Sequence, residues 1–599
     1  MISQVQGRIK TYMNEEKDTF DWDPSVFTNR SFHADPYLIH VRIPDEIELD
    51  QAIMRLESNP YVEYVEKNGI ARITTDDQYF SQQWGLAKIQ AEEAWAISTG
   101  NSEVIVAVLD TGLDYEHDDI VGNLWVNPNE IPGDGQDNDR NGFPDDLNGW
   151  NFIYDYPPGN ANPMDDQTYL EVDYNCVPTA LNYHGTHVAG IIGAVGNNSL
   201  GISGVCWNVK IMPIKIGNYC GQILDNRIIN GIDYATNNGA FLTSNSYRQL
   251  SDNYSRSVML AIARAQEKSR LFVVSAGNDN RSLDAKPRYP ACYPNENIIA
   301  VLATNDDDTK WSGSNYGQNS VDVGAPGSGI LSLKRGDDYQ QKSGTSMAAP
   351  HVAGVAALAL GVCPGLTYGR LKDLIIEGAD YVAALNNKCV ADGRLNAYNV
   401  LSGLGGTTPP NAPSNLIVYQ IAWNILRLRW NDNSTNELGF EIQRKDEYRP
   451  VFIHENSADM NATSYAYCQD PIDTLRTSYS YRVRAVNRAG ISEFSACDFA
   501  IPQVVPDAPT DLDGQSPTLE QNVNIHWTNH AVNALYNYVE RRIPGETDWE
   551  IIAILSYNSD AYSDMYAMAG HTYEYRVKAG NPIGYSSPSN VLPIEVIDW

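Results

Sequence analysis

Basic residues are scarce in this chain: 42 Lys and Arg stand against 75 Asp and Glu, a formal net charge of -33 over 599 residues. Nucleic acid and anionic membrane surfaces are thereby excluded as partners, because a strongly acidic protein is repelled by both. No apolar run is long enough to read as a membrane span. The eight cysteines include no CxxC pair and no Cys/His spacing of the zinc type, so structural zinc is not expected. Met1 to Lys10 lack the basic start and apolar stretch of a secretory leader. Either such a leader has been removed or export is absent.

What is present separates into four blocks, as a length beyond one hydrophobic core requires. Residues 1–75 carry a strand from Tyr37 to Ile43, a helical pattern from Ile47 to Leu56 and a strand from Tyr61 to Val65, a small βαβ unit. Residues 76–405 alternate apolar strands (Val104 to Leu109, Lys210 to Lys215, Leu271 to Val274, Ile298 to Ala303) with helical segments. Such alternation predicts an α/β domain, a doubly wound parallel sheet with helices on both faces. After the linker Gly405 to Pro410 the helical period disappears, and residues 410–503 and 506–599 repeat one another. Each repeat opens on a Pro-rich turn, places a Trp on an early strand (Trp430; Trp527) and an alternating Tyr pair on a late one (Tyr479 and Tyr481; Tyr573 and Tyr575). Both resemble fibronectin type III domains, all-β sandwiches with the Trp in the core. Such modules act as surface or matrix binders or as spacers, and the fold does not choose between these.

Three segments of the second block bear on chemistry. Val106 to Gly112 sets Asp110 at the carboxyl end of a buried strand, where open α/β sheets build their sites. His184 to Gly190 starts a helix with His184 at its exposed end and His187 packed inside. Gly344 to Gly354 puts Ser346 at the start of another helix, where unpaired N–H groups and the helix dipole favour developing negative charge. Pro350 is tolerable there only near the helix start.

In the chain order Asp, His, Ser these segments resemble the subtilisin family of serine peptidases, and the likeness runs over most of residues 76–405. It implies Ser346 as nucleophile, His184 as general base and then general acid, and Asp110 as the group that holds the imidazole tautomer. Phe272 to Asn278 is similar to the family's strand and turn that deliver an oxyanion asparagine, which makes Asn278 a donor beside the Ser346 N–H. Protein or peptide substrates are then expected to lie as an added strand along Ser244, Ser246 and Tyr247, opposite Ser275 and Gly277. Relatives continue this segment into glycines, whereas Arg248 to Leu250 follow here. Arg288 aligns with the base of the family's primary specificity pocket and implies a shallower or more cation-lined one.

Structural calcium is expected at two places. Asp137, Asp139, Asn141, Phe143 and Asp145 follow the alternating oxygen pattern of a loop wrapped on a hard cation. Asp77, Asp119, Gly196, Asn198, Leu200 and Ile202 match the strong calcium site of the family's thermitase-like branch, Asn198 through its side chain and Gly196, Leu200 and Ile202 through carbonyls. The first block is similar to the family's propeptide, an intramolecular inhibitor whose tail, Asn68 to Thr75, would be cut near Asp76. A secreted, self-processing zymogen is the reading this implies, with catalysis confined to residues 76–405 and independent of the later modules. Cys363 with Cys389, and Cys468 with Cys497, are the preferred disulfide pairs, although pairing does not follow from sequence.

Overall fold

The computed structural model describes residues 4–9, 28–31, 38–42, 49–58, 62–67, 75–153, 160–165, 183–218, 221–248, 254–406, 408–422, 425–446, 448–468, 478–500, 506–516, 522–531, 534, 536–581 and 584–596. The chain divides into two compact units, Met1–Ile73 and Thr74–Trp599.

In the first unit the expected strands and helix are Leu38–Arg42, Leu49–Glu57 and Val62–Lys67. Two further strands complete an antiparallel sheet. Gln4–Ile9 lies between Leu38–Arg42 and Val62–Lys67 and pairs antiparallel with both, and Thr28–Ser31 forms an edge. The two flanking strands are therefore parallel but not adjacent, a split βαβ arrangement. Gln4–Ile9 and Thr28–Ser31 escaped the sequence reading because they are short and mostly polar.

The second unit is built on a nine-stranded sheet ordered Asp380–Tyr381, Gly393–Arg394, Val323–Pro326, Ile298–Thr304, Leu271–Ser275, Leu242–Asn245, Gly100–Asp110, Asn208–Lys215 and Trp150–Asn151. All neighbours run parallel except the first pair. The central strand shows why its sequence is uninterrupted apolar. Val106 and Val108 face one core with Val188, Ile192 and Val352, and Ala107 and Leu109 face a second core with Ile214, Ile232 and Ile262. Helices cover both faces, so neither side of the strand may be polar. His184–Gly193 and Thr345–Val362 lie on the first face, Asp225–Asn237 and Arg256–Glu267 on the second.

Thr345–Val362 is apolar on every side, and among the described residues it alone is long and apolar enough to cross a bilayer. Its most apolar window is 83% buried inside the protein, as a helix without a polar face must be when it fills a core. Cys363 belongs to the first core and Cys389 to the second, so the sheet stands between them and both are free thiols. The expected bridge between them is not formed.

Two β-sandwiches follow. In the first, Ser414–Ala422, Ile425–Asn431 and Ser464–Cys468 form one sheet, and Ile453–Asp459, Gly439–Asp446 and Ser478–Asn487 lead the other. Trp430 packs between the sheets with Phe440 and Tyr481. The second repeats this order, with Trp527, Val539 and Tyr575 in its core. Cys468 and Cys497 sit on strands of opposite sheets, paired through their backbones with Ile425 and Tyr481. Their side chains, and Cys176 and Cys220 altogether, lie outside the described residues.

The first sandwich is not the independent module that its linker suggests. Arg270, 2% exposed, donates to the carbonyls of His454 and Glu455 at 2.9 and 2.8 Å. Glu455 in turn pairs with Lys268 at 3.2 Å and with Arg444 at 3.3 Å, and the His454 ring stacks on Phe241 at 3.8 Å. Removing one member of such a buried pair while the other stays buried is strongly destabilising.

Candidate active site

Asp110 ends the central strand, and its Oδ1 accepts the N–H of Thr111 at 2.8 Å and lies 2.8 Å from His184 Nδ1. With Nδ1 as the donor, Nε2 is left as the acceptor. His184 can come this close because the next residue is glycine: a Cβ at Gly185 would lie 2.1 Å from the Gly112 carbonyl and 3.1 Å from Asp110 Cβ. Its N–H is held by Thr111 Oγ1 at 2.9 Å. His187 is buried one turn on, with Nε2 3.1 and 3.0 Å from the carbonyls of Ile330 and Gln340, and burial lowers its pKa to about 3.

Pro350 lies inside the helix Thr345–Val362 and has no N–H for the carbonyl four residues earlier, that of Ser346. That carbonyl instead accepts Ser246 Oγ at 2.9 Å, and Ser346 Oγ donates to the Ser246 carbonyl at 3.0 Å. The proline thereby ties the serine's peptide to the neighbouring strand end.

Asn278 is oriented by Thr345, whose N–H and Oγ1 donate to its side-chain carbonyl at 2.9 and 2.8 Å. The amide end is turned the other way. A Cβ at Gly344 would stand 3.2 Å from Asn278 Nδ2 and 3.7 Å from both Asn278 Oδ1 and the Ser346 nitrogen, so both nitrogen donors border the space that glycine leaves open. An oxygen that gains charge there would be met by both.

Of the expected substrate-contacting residues, Ser246 touches Ser346 directly and the Gly277 N–H donates to Thr345 Oγ1 at 3.0 Å. Ser275 Oγ reaches the Tyr247 carbonyl at 3.5 Å, and Arg288 Nε lies 3.3 Å from Asp279, the residue after Asn278. Ser244 does not join them. It is completely buried within Leu242–Asn245, because the sheet continues one residue past it before the strand opens.

A carboxylate that sequence reasoning missed lies behind the pair. Asp165 accepts the N–H and Oγ1 of Thr186 at 3.2 and 2.9 Å and so fixes the first turn of the His184 helix. Burial raises its pKa to about 6 against the opposing pull of Lys215, with Asp110 adding repulsion. It sits in a stretch without hydrophobic period, and no local pattern marks it.

Both candidate cation sites are assembled in part. Asp137 and Asp139 come together with Glu130, one oxygen from each lying within 4.8 Å of the others. Glu130 Oε1 accepts the N–H groups of Asn138 and Asp139 at 2.9 and 3.2 Å, while its buried Oε2 has no partner. An orphaned carboxylate oxygen aimed at two further carboxylates suits a hard divalent cation. Glu130 was not expected, since it precedes the loop motif. Asp145 turns away: its two oxygens accept the N–H groups of Gly133 and Gly135 at 3.0 and 2.8 Å, closing the other arm of the loop. Asn141 bonds Asp146 at 2.9 Å, and the Phe143 ring packs on Trp150, Phe152 and Tyr234. Arg449 of the first sandwich pairs with Asp139 at 3.2 Å.

At the second site Asn198 Nδ2 donates to Asp119 at 2.9 Å, and Asp77 accepts the N–H groups of Asn197 and Asn198 at 3.0 Å each. Leu200 and Ile202 present N–H groups, to Asn198 Oδ1 and Asp119 at 2.9 Å each. Gly196 packs over the Trp207 ring. Burial raises the Asp119 pKa, and Asp77 adds repulsion.

A model of the subtilase family matches residues 101–402. The chain is 35% identical over 329 residues to thermitase of Thermoactinomyces vulgaris, covering 55% of this chain and 99% of that protein. It is 32% identical over 335 residues to subtilisin-like protease 1 of Plasmodium falciparum, covering 52% and 45%, and 33% identical over 366 residues to an extracellular protease of Xanthomonas campestris pv. campestris, covering 56% and 58%. The chain thus spans about half the length of the Plasmodium relatives it matches. Among solved structures, a protease of Pseudoalteromonas arctica is 28% identical with a TM-score of 0.45, covering 55% of this chain and 99% of that one.

Proposed function

Since the chain belongs to the subtilase family, we propose that it is a secreted serine endopeptidase, supported by structural calcium and made as a self-processing zymogen. One observation carries the reading: His184 Nδ1 lies 2.8 Å from Asp110 Oδ1, which leaves Nε2 as the acceptor for a serine hydroxyl proton.

In this reading the Ser346 hydroxyl turns from the Ser246 carbonyl toward His184 Nε2, gives up its proton there and attacks the scissile carbonyl. The oxyanion that forms takes hydrogen bonds from Ser346 N–H and Asn278 Nδ2. His184 then passes the proton to the leaving amine, and the acyl-enzyme is hydrolysed by water through the same steps. Asp110 stays ionised, holds Nδ1–H and stabilises the imidazolium. A bound calcium ion would neutralise the carboxylates of Glu130, Asp137 and Asp139, with a second held near Asp77 and Asp119.

Residues 1–73 form a separate compact unit that ends two residues before the expected cut near Asp76, which supports a propeptide role. Secretion is supported by the likeness to the extracellular protease of Xanthomonas campestris. The C-terminal repeats form two-sheet sandwiches with Trp430, Tyr481, Trp527 and Tyr575 in their cores, which supports the fibronectin type III reading.

Steady-state hydrolysis of peptide substrates tests the proposal. Ser346→Ala should abolish turnover and accumulate as a chain still beginning at its original N-terminus, whereas the wild type should yield a fragment starting near Asp76. Asn278→Ala should lower kcat by about 10²–10³, the size established for the corresponding donor in subtilisin. Unchanged turnover in Ser346→Ala would end the reading.

A further inference from the structure

Where the first sandwich meets the catalytic domain, the two surfaces part around a cavity of about 340 Å³. Ile105, Leu124 and Phe241 of the catalytic domain face Phe452 and Ile453 of the sandwich across it. Ser102, Val126 and Pro128 at its rim are exposed, so a solute can enter. The cavity lies on the amino-terminal side of the parallel sheet: Phe241 directly precedes Leu242–Asn245, and Lys210 is near the start of Asn208–Lys215. Asp110 closes the opposite end, five residues beyond Ile105 and about 16 Å along the strand. A molecule held here does not touch the catalytic groups.

Two cations on its walls keep only neutral partners. Lys210 donates to the Gly122 carbonyl at 2.9 Å. Arg482 donates to the Gln443 side-chain carbonyl at 2.8 Å, and its guanidinium lies over the rings of Phe452 and Phe494 at 4.1 and 3.8 Å. The carboxylates on the walls are already engaged, because Arg484 holds Glu103 at 3.0 Å and Glu441 at 2.5 Å. Arg449, the remaining wall cation, is paired with Asp139 at 3.2 Å. The walls and their direct partners thus set Lys210, Arg449, Arg482 and Arg484 against Glu103, Glu441 and Asp139, and the cations are in excess. His454 adds a buried polar group without a hydrogen bond: its side chain is 3% exposed, and Nδ1 lies 3.6 Å from Glu441 Oε1, too far to be satisfied by it. Burial lowers its pKa to about 4, so the ring is neutral near pH 7.

We propose that this cavity is a binding site for a small organic anion, a carboxylate carried on an apolar body, and that the bound ligand fastens the first sandwich to the catalytic domain. Its volume is within the range of about 300–1,000 Å³ usual for small-molecule sites, which favour domain interfaces and apolar walls with a few convergent polar groups. A carboxylate gains charge-assisted hydrogen bonds from Lys210 and Arg482, and the His454 imidazole offers one more polar contact. The apolar body leaves water for Ile105, Leu124, Phe241 and Ile453. A cationic ligand meets like charge, and a neutral one strips water from the two cations without replacing its hydrogen bonds. Fatty acids and the carboxyl ends of short peptides share the required chemistry. Since both domains build the walls, a ligand that binds only the docked arrangement stabilises it by mass action.

Calorimetric titration and melting of the full-length Ser346→Ala chain, which would not consume the probes, test this with octanoate, N-acetylphenylalanine and the dipeptide Gly-Phe, each beside its carboxamide. The acids should bind about ten- to a hundredfold more tightly than the amides and raise the melting temperature, and the advantage should shrink with added salt. Lys210→Gln and Arg482→Gln should each remove most of that advantage. Lys210 is only half-buried and bonds a single carbonyl, so Lys210→Gln leaves the fold intact and decides the matter alone if Arg482→Gln unfolds. Octanoate as the tightest probe would support the site with a fatty acid as its ligand, and Gly-Phe as the tightest would support it with a peptide end. Acids bound no better than their amides would overturn the proposal. An acid whose affinity survives Lys210→Gln binds elsewhere on the chain, the cleft beside residue 346 included, and overturns it too.

Discussion

The two C-terminal sandwiches have the same strand order and the same core Trp, yet they use the outer face of the larger sheet in opposite ways. In the first, Glu441 and His454 on that face are buried, the His454 ring stacks on Phe241 of the catalytic domain, and Arg484 bridges Glu441 at 2.5 Å to Glu103 of the catalytic domain at 3.0 Å. In the second, the corresponding region keeps its charges among themselves: Arg542 pairs with Glu574 at 2.6 Å, Lys578 with Glu540 at 3.0 Å, and Trp549 is covered by Arg542 and Arg576 at 4.5 and 4.1 Å. One fold thus serves once as a docked wall and once as a solvated face. Whether a module is separable is decided by the partners of its surface charges and not by the linker that precedes it.

The largest effect should come from removing each module in turn. Deleting residues 506–599 should leave the melting temperature and small-peptide turnover of the remainder unchanged. Deleting 410–599 should expose the catalytic-domain surface that the first sandwich covers, Arg270 included, and should lower the melting temperature of the remainder. Calorimetry of both truncations decides it, and equal melting temperatures would erase the contrast. Single residues sharpen the comparison. Glu455→Ala takes the carboxylate away from the buried Arg444 and from Lys268 and should cost about 3–5 kcal/mol in urea denaturation. Glu574→Ala in the second sandwich breaks a pair open to water and should cost about 1 kcal/mol or less.

Asp165 gauges buried charge where no sandwich takes part. Its folded pKa, about 6, lies above the unfolded value of 3.8. The native state therefore holds this proton more tightly, and the stabilisation present below about pH 4 is lost as pH rises through 6. Asp165→Asn removes that dependence. The stability of the wild type relative to the variant should fall by about 3 kcal/mol between pH 3 and pH 8, measured by urea titration at each pH. Calcium removal comes next in size. Chelation should lower the transition of the catalytic unit by the equivalent of about 2.7 kcal/mol, if the ion is normally at a hundred times its dissociation constant. The transition of the second sandwich should not move. The first sandwich should respond, because Arg449 contacts Asp139 directly.

The same division between local and distant contacts set what could be read in advance. The strands of the parallel sheet were legible because burial on both faces leaves an apolar run in the sequence, as Val104 to Leu109 shows. Asp110, His184, Ser346 and Asn278 were legible as motifs with fixed neighbours, Gly185 and Thr345 among them. Asp165 and Glu130 were not, since each acts through partners that the chain brings from elsewhere or that fall outside a spacing rule. Asp145 fitted the spacing but its carboxylate was taken by the Gly133 and Gly135 amides, a competition no pattern reveals. The docking of Arg270 to residues 184 and 185 positions later had no local trace.

The thiols on opposite sides of the sheet offer a way to time how the catalytic domain opens. Cys206 and Cys363 are completely buried on one face with pKa values raised to about 12, and Cys389 on the other with one of about 11, in each case chiefly by burial. Alkylating reagents attack thiolates, so at neutral pH these sulfurs should stay silent until water reaches them. Mass spectrometry of the labelled chain over time would then give each face its own clock. Equal rates for Cys363 and Cys389 would mean that the two cores open as one cooperative body, and unequal rates would identify which layer of helices lifts first.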